Sequence, residues 1–85
     1  MFVSVKHDIS NPQEFWSIAE KAIPNLPAGV KLHSSFPTSD KSTAFCLWEV
    51  ESLDGFKNYL ESATGHVSKN DYFVIDEKVA IGLPK

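Results

Sequence analysis

Four side chains in this 85-residue sequence are of types that bind transition metals or take part in nucleophilic and acid–base chemistry: His7, His33, His66 and the single cysteine, Cys46. None of them stands at a known catalytic or metal-binding spacing. The chain has no HExxH, CxxC or GxSxG motif and no glycine-rich phosphate loop. The sequence therefore offers candidate residues without a complete catalytic motif.

Cys46 and His33 are the two candidates that could form the start of a metal site. Both lie in segments that alternate like strands. If the strand register puts them on one face of a sheet, a sulfur and a nitrogen ligand converge, a combination that suits nickel, copper or zinc. A slip of one residue moves every side chain to the other face, so the register stays open. The alternative is that Cys46, between Phe45 and Leu47, is a small buried apolar residue.

The remaining candidates have structural interpretations beside the chemical ones. His7 lies near the end of a strand, and we expect it to be solvated or to contact a helix. His66 follows Gly65 at a predicted helix end, where it can interact with the last carbonyl groups of that helix. Trp48 either anchors a dimer, the interpretation that we favour, or forms the wall of a pocket for an aromatic or apolar ligand.

The segments that carry these residues alternate between strand and helix patterns. Branched and aromatic residues at period two predict strands over 2–9, 30–36 and 43–51 and a last strand from about Tyr72. Residues 11–14 (NPQE) form a helix-start signature that begins a first helix, and prolines 24 and 27 end it. Ser52 caps a second helix, which Gly65 ends in a left-handed conformation.

The order of these elements is strand, helix, strand, strand, helix, strand. This order predicts a single α+β domain over residues 1–85 with the ferredoxin-like βαββαβ fold. In that fold a four-stranded antiparallel sheet carries both helices on one face. Right-handed crossovers leave few other compact arrangements of these six elements.

The sheet face opposite the helices is predicted to be apolar. If Phe45 and Leu47 face the helices, the alternate residues of the third strand face away from them: Ala44, Cys46, Trp48 and Val50. An apolar patch on a small domain marks an interaction surface. We therefore predict a two-fold homodimer whose sheets pack face to face, a dimeric α/β barrel. The alternative is a monomer whose own tail, residues 79–85, covers part of this face.

The composition limits the partners. The net charge is −3, there is no arginine, and the eight lysines are scattered, which excludes a nucleic-acid footprint. No apolar run approaches the roughly 20 residues of a membrane span, and the N-terminus lacks the basic region of an export signal. With one cysteine, no internal disulfide can form, and we expect a soluble, cytoplasmic protein.

Short motifs within Gly29–Asp76 give a family resemblance. They are FCL at 45–47, a following Glu49, and TGH at 64–66 ahead of the last strand. In these motifs and their separation the chain resembles a family of small bacterial ferredoxin-like proteins, dimeric α/β barrels of unknown function, that includes a nickel-binding member. The resemblance implies a homodimer and a site for nickel or another divalent transition metal.

Carried over by position, Cys46 falls on the cysteine of the FCL motif and His66 on the histidine of the TGH motif. The nickel-binding relative is rich in histidine at positions where this chain has other residues, namely Lys6, Lys31 and Ser34. A metal site built from Cys46, His33 and His66 would therefore need ligands from both subunits or from water.

Three functions follow from these observations. The leading one is a small homodimeric ferredoxin-like binding or regulatory protein of undetermined activity that binds a divalent metal through Cys46, His33 and His66. The second is a cofactor-independent oxygenase or isomerase, in which a pocket of roughly a few hundred Å³ between sheet and helices holds a small organic substrate. The substrate would lie against Trp48, with His33 or His7 as the base. The third is a purely structural assembly module.

Overall fold

The computed structural model describes residues 1–84 and has the six predicted elements in the predicted order. The strands are β1 (Phe2–Ile9), β2 (Val30–Pro37), β3 (Thr43–Val50) and β4 (Ser68–Val74), and the helices are α1 (Pro12–Ala22) and α2 (Leu53–Thr64). The sheet order is β2-β3-β1-β4, and all neighbouring strands are antiparallel. The predicted ferredoxin-like βαββαβ fold is confirmed. Neither α1 nor α2, the helices of the described residues, is long and apolar enough to cross a membrane.

Both helices begin with the predicted caps. The backbone N–H of Glu14 donates to the side-chain oxygen of Asn11 over 3.1 Å, and the N–H of Gly55 donates to Oγ of Ser52 over 3.2 Å. Each cap satisfies one of the N–H groups that the first turn leaves without a partner. Helix α1 ends at Ala22, and a single 3-10 turn over Ile23–Asn25 follows it.

The end of α2 differs from the prediction. Gly65 has a φ of −60°, which is right-handed helical backbone, so the predicted left-handed conformation is wrong. The glycine serves a steric purpose instead. A Cβ at this position would lie 2.6 Å from the backbone oxygen of Glu61, closer than atoms in contact can approach.

The facing of β3 is the reverse of the prediction. Phe45 and Leu47 lie on the side away from the helices, and the residues that pack under the helices are Ala44, Cys46, Trp48 and Val50, all buried. The register explains this, since directly opposed residues share a face. Val3 of β1 pairs with Trp48, and Val3 is fully buried beneath the helices together with its strand neighbours Val5, His7 and Ile9.

A bulge in β2 changes which of its residues face the helices. Leu32 pairs with Trp48 and Ser34 pairs with Leu47, so His33 stands between them as an extra residue. A bulge of this kind interrupts the alternation of the strand. Ser34 therefore lies on the face opposite to Leu32, and strict alternation along β2 does not hold.

Strand β4 begins at Ser68, earlier than the predicted start near Tyr72. Because its first half is polar, the alternation of apolar residues that identifies other strands is missing there. Pairing with β1 forms this half of the strand, with Ser68 opposite Ile9 and Asn70 opposite His7.

Candidate functional site

The three predicted metal ligands lie in three different places. Cys46 is buried under the helices, and His33 lies on the opposite face of the sheet, where its Nε2 is 2.8 Å from Glu49. His66 lies beyond the end of α2. The condition that Cys46 and His33 share a face is therefore not met, and a single chain does not bring the three together. Within residues 1–84, no group of three or more His, Cys, Asp or Glu side chains is placed to hold a metal ion.

Cys46 fits the alternative interpretation as a small buried residue. Its side chain is 7% exposed, and the thiol donates a hydrogen bond to Oγ of Ser35 over 3.5 Å. Burial raises the pKa of the thiol, because a thiolate would lose its hydration there. A thiol held neutral in this way is a poor nucleophile and a poor metal ligand.

His33 makes a surface pair on the face away from the helices. Its Nε2 hydrogen-bonds to Glu49, and its ring packs against Phe2 with the centroids 5.5 Å apart. The hydrogen bond from His33 lowers the pKa of the Glu49 carboxyl. This position separates His33 from Trp48 by the thickness of the sheet, so His33 does not meet a substrate held against Trp48.

His66 pairs with a neighbouring helix. Its Nε2 lies 3.3 Å from a carboxylate oxygen of Glu14, in the first turn of α1. The predicted interaction with the last carbonyl groups of α2 is replaced by this exposed contact, which links the end of α2 to the start of α1.

His7 is buried under α1, with 2% of its surface exposed. Its ring packs against Phe15 with the centroids 5.2 Å apart, which confirms the predicted helix contact, and the solvated alternative is wrong. Nδ1 lies 2.6 Å from Oδ1 of Asn70. An amide oxygen only accepts hydrogen bonds, so Nδ1 carries the proton and Nε2 is left without one in the neutral ring. Burial lowers the pKa of His7, which favours that neutral form.

A network of side chains from β4 and α2 holds Asn70 in this orientation. Its amide nitrogen donates to Oε2 of Glu61 over 2.8 Å and to Oγ1 of Thr64 over 3.2 Å. The hydroxyl of Tyr72 also donates to Oε2 of Glu61, and burial together with this carboxylate raises the pKa of Tyr72. No pattern in the sequence predicts this network, because Asn70 and Glu61 resemble ordinary surface residues of a polar segment and a helix.

A cavity of about 50 Å³ lies between the two helices and the sheet. We call it the helix–sheet cavity, and residues from α1, α2 and the sheet line it, among them Trp16, Ala19, Trp48, Tyr59, Ala63 and His7. One water needs about 10–15 Å³ on this scale, so the cavity has room for about four water-sized groups. It lies where the enzyme hypothesis places a pocket against Trp48, but it is smaller than the few hundred Å³ that this hypothesis requires.

The two indole rings in this wall have unused hydrogen-bond donors. Nε1 of Trp16 and Nε1 of Trp48 are both buried, and neither has a partner among the described residues. Trp48 is 5% exposed and packs against Phe56 with the ring centroids 5.1 Å apart. Because Trp48 is buried inside its own chain, the prediction that it anchors a dimer is wrong. The alternative, that it walls a pocket, agrees with its position.

The sheet face away from the helices, which we call the open face, carries large exposed aromatic residues. Phe36, Phe45 and Phe73 are 66%, 45% and 55% exposed, and Phe36 lies directly opposite Phe45 in the sheet. In the tail, Val79 and Ile81 are 76% and 100% exposed. Those two side chains therefore do not cover the open face.

Comparisons of the chain with protein-family models, with curated proteins and with solved structures find no match. The functional interpretation consequently depends on the geometry of the helix–sheet cavity and of the open face.

Proposed function

We propose that the protein binds a small organic molecule in the helix–sheet cavity. The observation that carries this proposal is the cavity itself, between the helices and the sheet, in the layer that holds the main cluster of buried apolar side chains. Protein interiors are packed to the density of organic crystals, and a gap costs the contacts that would fill it. Alanines 19, 22 and 63 line the gap beside the two tryptophans, where larger side chains would close it.

Binding is favoured over catalysis and over metal coordination by the state of the nearby groups. Cys46 is a neutral buried thiol that already donates to Ser35. His7 is buried, and its Nδ1 is occupied by Asn70. The transition metal is not part of this proposal, because the chain places Cys46, His33 and His66 apart.

Xenon under pressure tests the cavity, because xenon enters apolar cavities without forming hydrogen bonds. In ¹H–¹⁵N spectra we expect xenon to shift the indole signals of Trp16 and Trp48, both of which face the cavity. Ala63→Leu fills the cavity and should abolish the shifts. Ala28→Leu, at an exposed position outside the cavity lining, is the matched control and should retain them. No xenon effect on either indole would overturn the proposal.

We also propose that two copies of the chain pair through their open faces, because a specific observation favours it. Phe36, Phe45 and Phe73 are each more than two-fifths exposed, which is unusual for a sheet face that is in contact with water only. The charges beside them alternate in sign: Lys6 lies opposite Asp71, and Asp8 lies opposite Lys69. A face with balanced charges suits a second copy of itself better than a strongly charged partner.

This pairing keeps the ligand site and the interface apart. The helix–sheet cavity lies on one side of the sheet, and Phe36, Phe45 and Phe73 lie on the other. A face-to-face dimer would therefore have two separate cavities on its outer layers, and no ligand would need to enter the space between the two sheets.

A further inference from the structure

We propose that two copies of the chain also join edge to edge along β4, so that their two four-stranded sheets form one continuous sheet. This interface is separate from the helix–sheet cavity and from the open face. Two observations carry it: the backbone groups on the outer edge of β4 and the order of the charges along that strand.

The outer edge of β4 has backbone groups without partners. Ile75 donates its N–H to the backbone oxygen of Phe2, and the β1–β4 register is continuous from there, so the odd-numbered residues of β4 bond to β1. Successive residues of a strand direct their backbone groups to opposite sides, so residues 68, 70, 72 and 74 direct theirs outward. Among residues 1–84, no backbone hydrogen bond to these outward groups is present. They are therefore available to another strand.

The opposite edge of the sheet, formed by β2, has features that prevent such pairing. The bulge at His33 interrupts its alternation, and Pro37 at its end has no N–H to donate. Strand β4 has neither feature, because Ser68–Val74 contains no proline and pairs with β1 without a shift in register. Regular edges of this kind are templates for the addition of a strand.

The charges of β4 suit a second copy of the same strand. Lys69 and Asp71 are two residues apart and lie on the same face of the sheet, the open face. In an antiparallel pair centred on Asn70, Lys69 of each copy lies directly opposite Asp71 of the other. The same centring brings the outward residues 68, 70 and 72 opposite one another, so that about six backbone hydrogen bonds form.

The two neighbouring registers are unfavourable. A pair centred on Lys69 places the two lysines opposite each other, and a pair centred on Asp71 does the same with the two aspartates. Like charges in these positions repel each other. The charges therefore select the register centred on Asn70.

In that register the alternation of charge continues from one chain to the other. Within each chain Lys6 lies opposite Asp71, and Asp8 lies opposite Lys69. Across the two copies the row reads Lys6 and Asp71 of one chain, then Lys69 and Asp8 of the other. Every charge in the row thus has neighbours of opposite sign, a pattern that favours this partner over a strongly charged one.

Amide hydrogen exchange, followed in ¹H–¹⁵N spectra, tests the inference because it measures the outward N–H groups directly. At the same protein concentration, we expect the amides of residues 70 and 72 to be protected at least about tenfold more in the wild-type protein than in Lys69→Asp, where like charges meet. The amides of residues 69 and 71 already donate to β1 and serve as the internal control. Lys31→Asp, which removes a lysine opposite Glu49 at the β2 edge, is the matched control variant and should retain the wild-type protection.

Asp71→Lys provides a complementary variant. Alone it should lose the protection as Lys69→Asp does, but in an equimolar mixture of the two variants each aspartate meets a lysine, and the protection should return. A mixture that exchanges as fast as the separate variants would overturn the inference.

The wild-type protein decides the question even if a variant fails to fold. Pairing through the open faces leaves the edge of β4 in water. If the wild-type protein associates while residues 70 and 72 exchange fast, the edge interface is overturned and the open-face proposal stands. A wild-type chain that is monomeric at every concentration overturns both.

Discussion

The imidazole of His7 and the side-chain amide of Asn70 face each other across the β1–β4 pair, 2.6 Å apart. Because the amide nitrogen of Asn70 is held by Glu61 and Thr64, its oxygen is fixed toward His7. Asn70, a polar residue of the edge strand β4, therefore determines which ring nitrogen of His7 carries the proton.

The burial of His7 predicts a loss of stability in acid. Its pKa is lowered from an ordinary value of 6.5, so the unfolded chain binds a proton at a higher pH than the folded chain does. The free energy of unfolding should therefore be highest above about pH 7 and should fall as the pH drops through 6.5 toward the folded-state pKa. Urea denaturation between pH 8 and pH 5, at pH steps of roughly half a unit, measures this dependence.

His7→Gln provides the comparison, because glutamine does not titrate in this range. We expect its stability to change less over that interval than the stability of the wild-type protein. The matched control is His66→Gln, an exposed position, which should retain the wild-type dependence. An identical pH dependence in His7→Gln and the wild-type protein would show that His7 is not the group responsible.

Cys46 is expected to be unreactive in the folded protein. It is the single cysteine of the chain, and burial raises its pKa, so thiolate is scarce and shielded at neutral pH. Iodoacetamide should modify the native protein at the rate at which it unfolds, and the modification should become fast in urea. Mass spectrometry follows the reaction. Rapid modification without denaturant would mean that Cys46 is accessible, against the packing described above.

Phe73 and Val74 offer a matched test of the dimer. They are adjacent on β4 and almost equally exposed, 55% and 56%, but Phe73 lies on the open face and Val74 faces the helix layer. If the open faces pair, Phe73→Lys should weaken the dimer at least about tenfold, since it places a charge in an apolar interface. Val74→Lys should leave the dimer intact. Sedimentation equilibrium gives the dissociation constants, and equal effects of the two substitutions would contradict an interface on the open face.

Removal of the α2 cap should destabilise the fold without affecting the cavity. Ser52→Ala deletes the oxygen that accepts from the N–H of Gly55. The expected cost is about 1 kcal/mol, or a fall in Tm of about 4–8 °C for a domain of this size. Ser62→Ala, at an exposed interior position of α2, is the control and should change Tm by less. Equal changes in the two variants, measured by thermal unfolding, would argue against the cap.

The fold could be predicted because its signals are local. Asn11 and Ser52 mark the helix starts, and the alternation of β1 identifies Val3, Val5 and His7 as one face. These patterns reflect hydrogen bonding and burial within a few residues, so they survive in a single sequence.

The facing of β3 could not be predicted, because both of its sides are apolar. Phe45 and Leu47 on one side balance Cys46 and Trp48 on the other, and only the register with β1 decides between them. The bulge at His33 could not be predicted either, because it depends on how β2 pairs with β3 and not on a local sequence pattern. These two features place Cys46 and His33 on opposite faces of the sheet. For that reason a single chain does not bring together the metal ligands expected from the sequence.

Only part of the candidate site could be predicted from the sequence. Trp48 as a pocket wall and His7 beside it were among the alternatives, whereas Trp16, Asn70 and Glu61 were not. Their roles depend on contacts between α1, α2 and β4 that are distant in the sequence. The polar start of β4 gave no hint that Asn70 is hydrogen-bonded to a buried histidine.

A crystal structure of the protein under xenon pressure is the most direct test of the account. The central claim is that the space between α1, α2 and the sheet receives a small apolar molecule. The account predicts a xenon peak in that space, beside the rings of Trp48 and Trp16. Xenon peaks elsewhere on the protein, with the helix–sheet cavity empty, would contradict it.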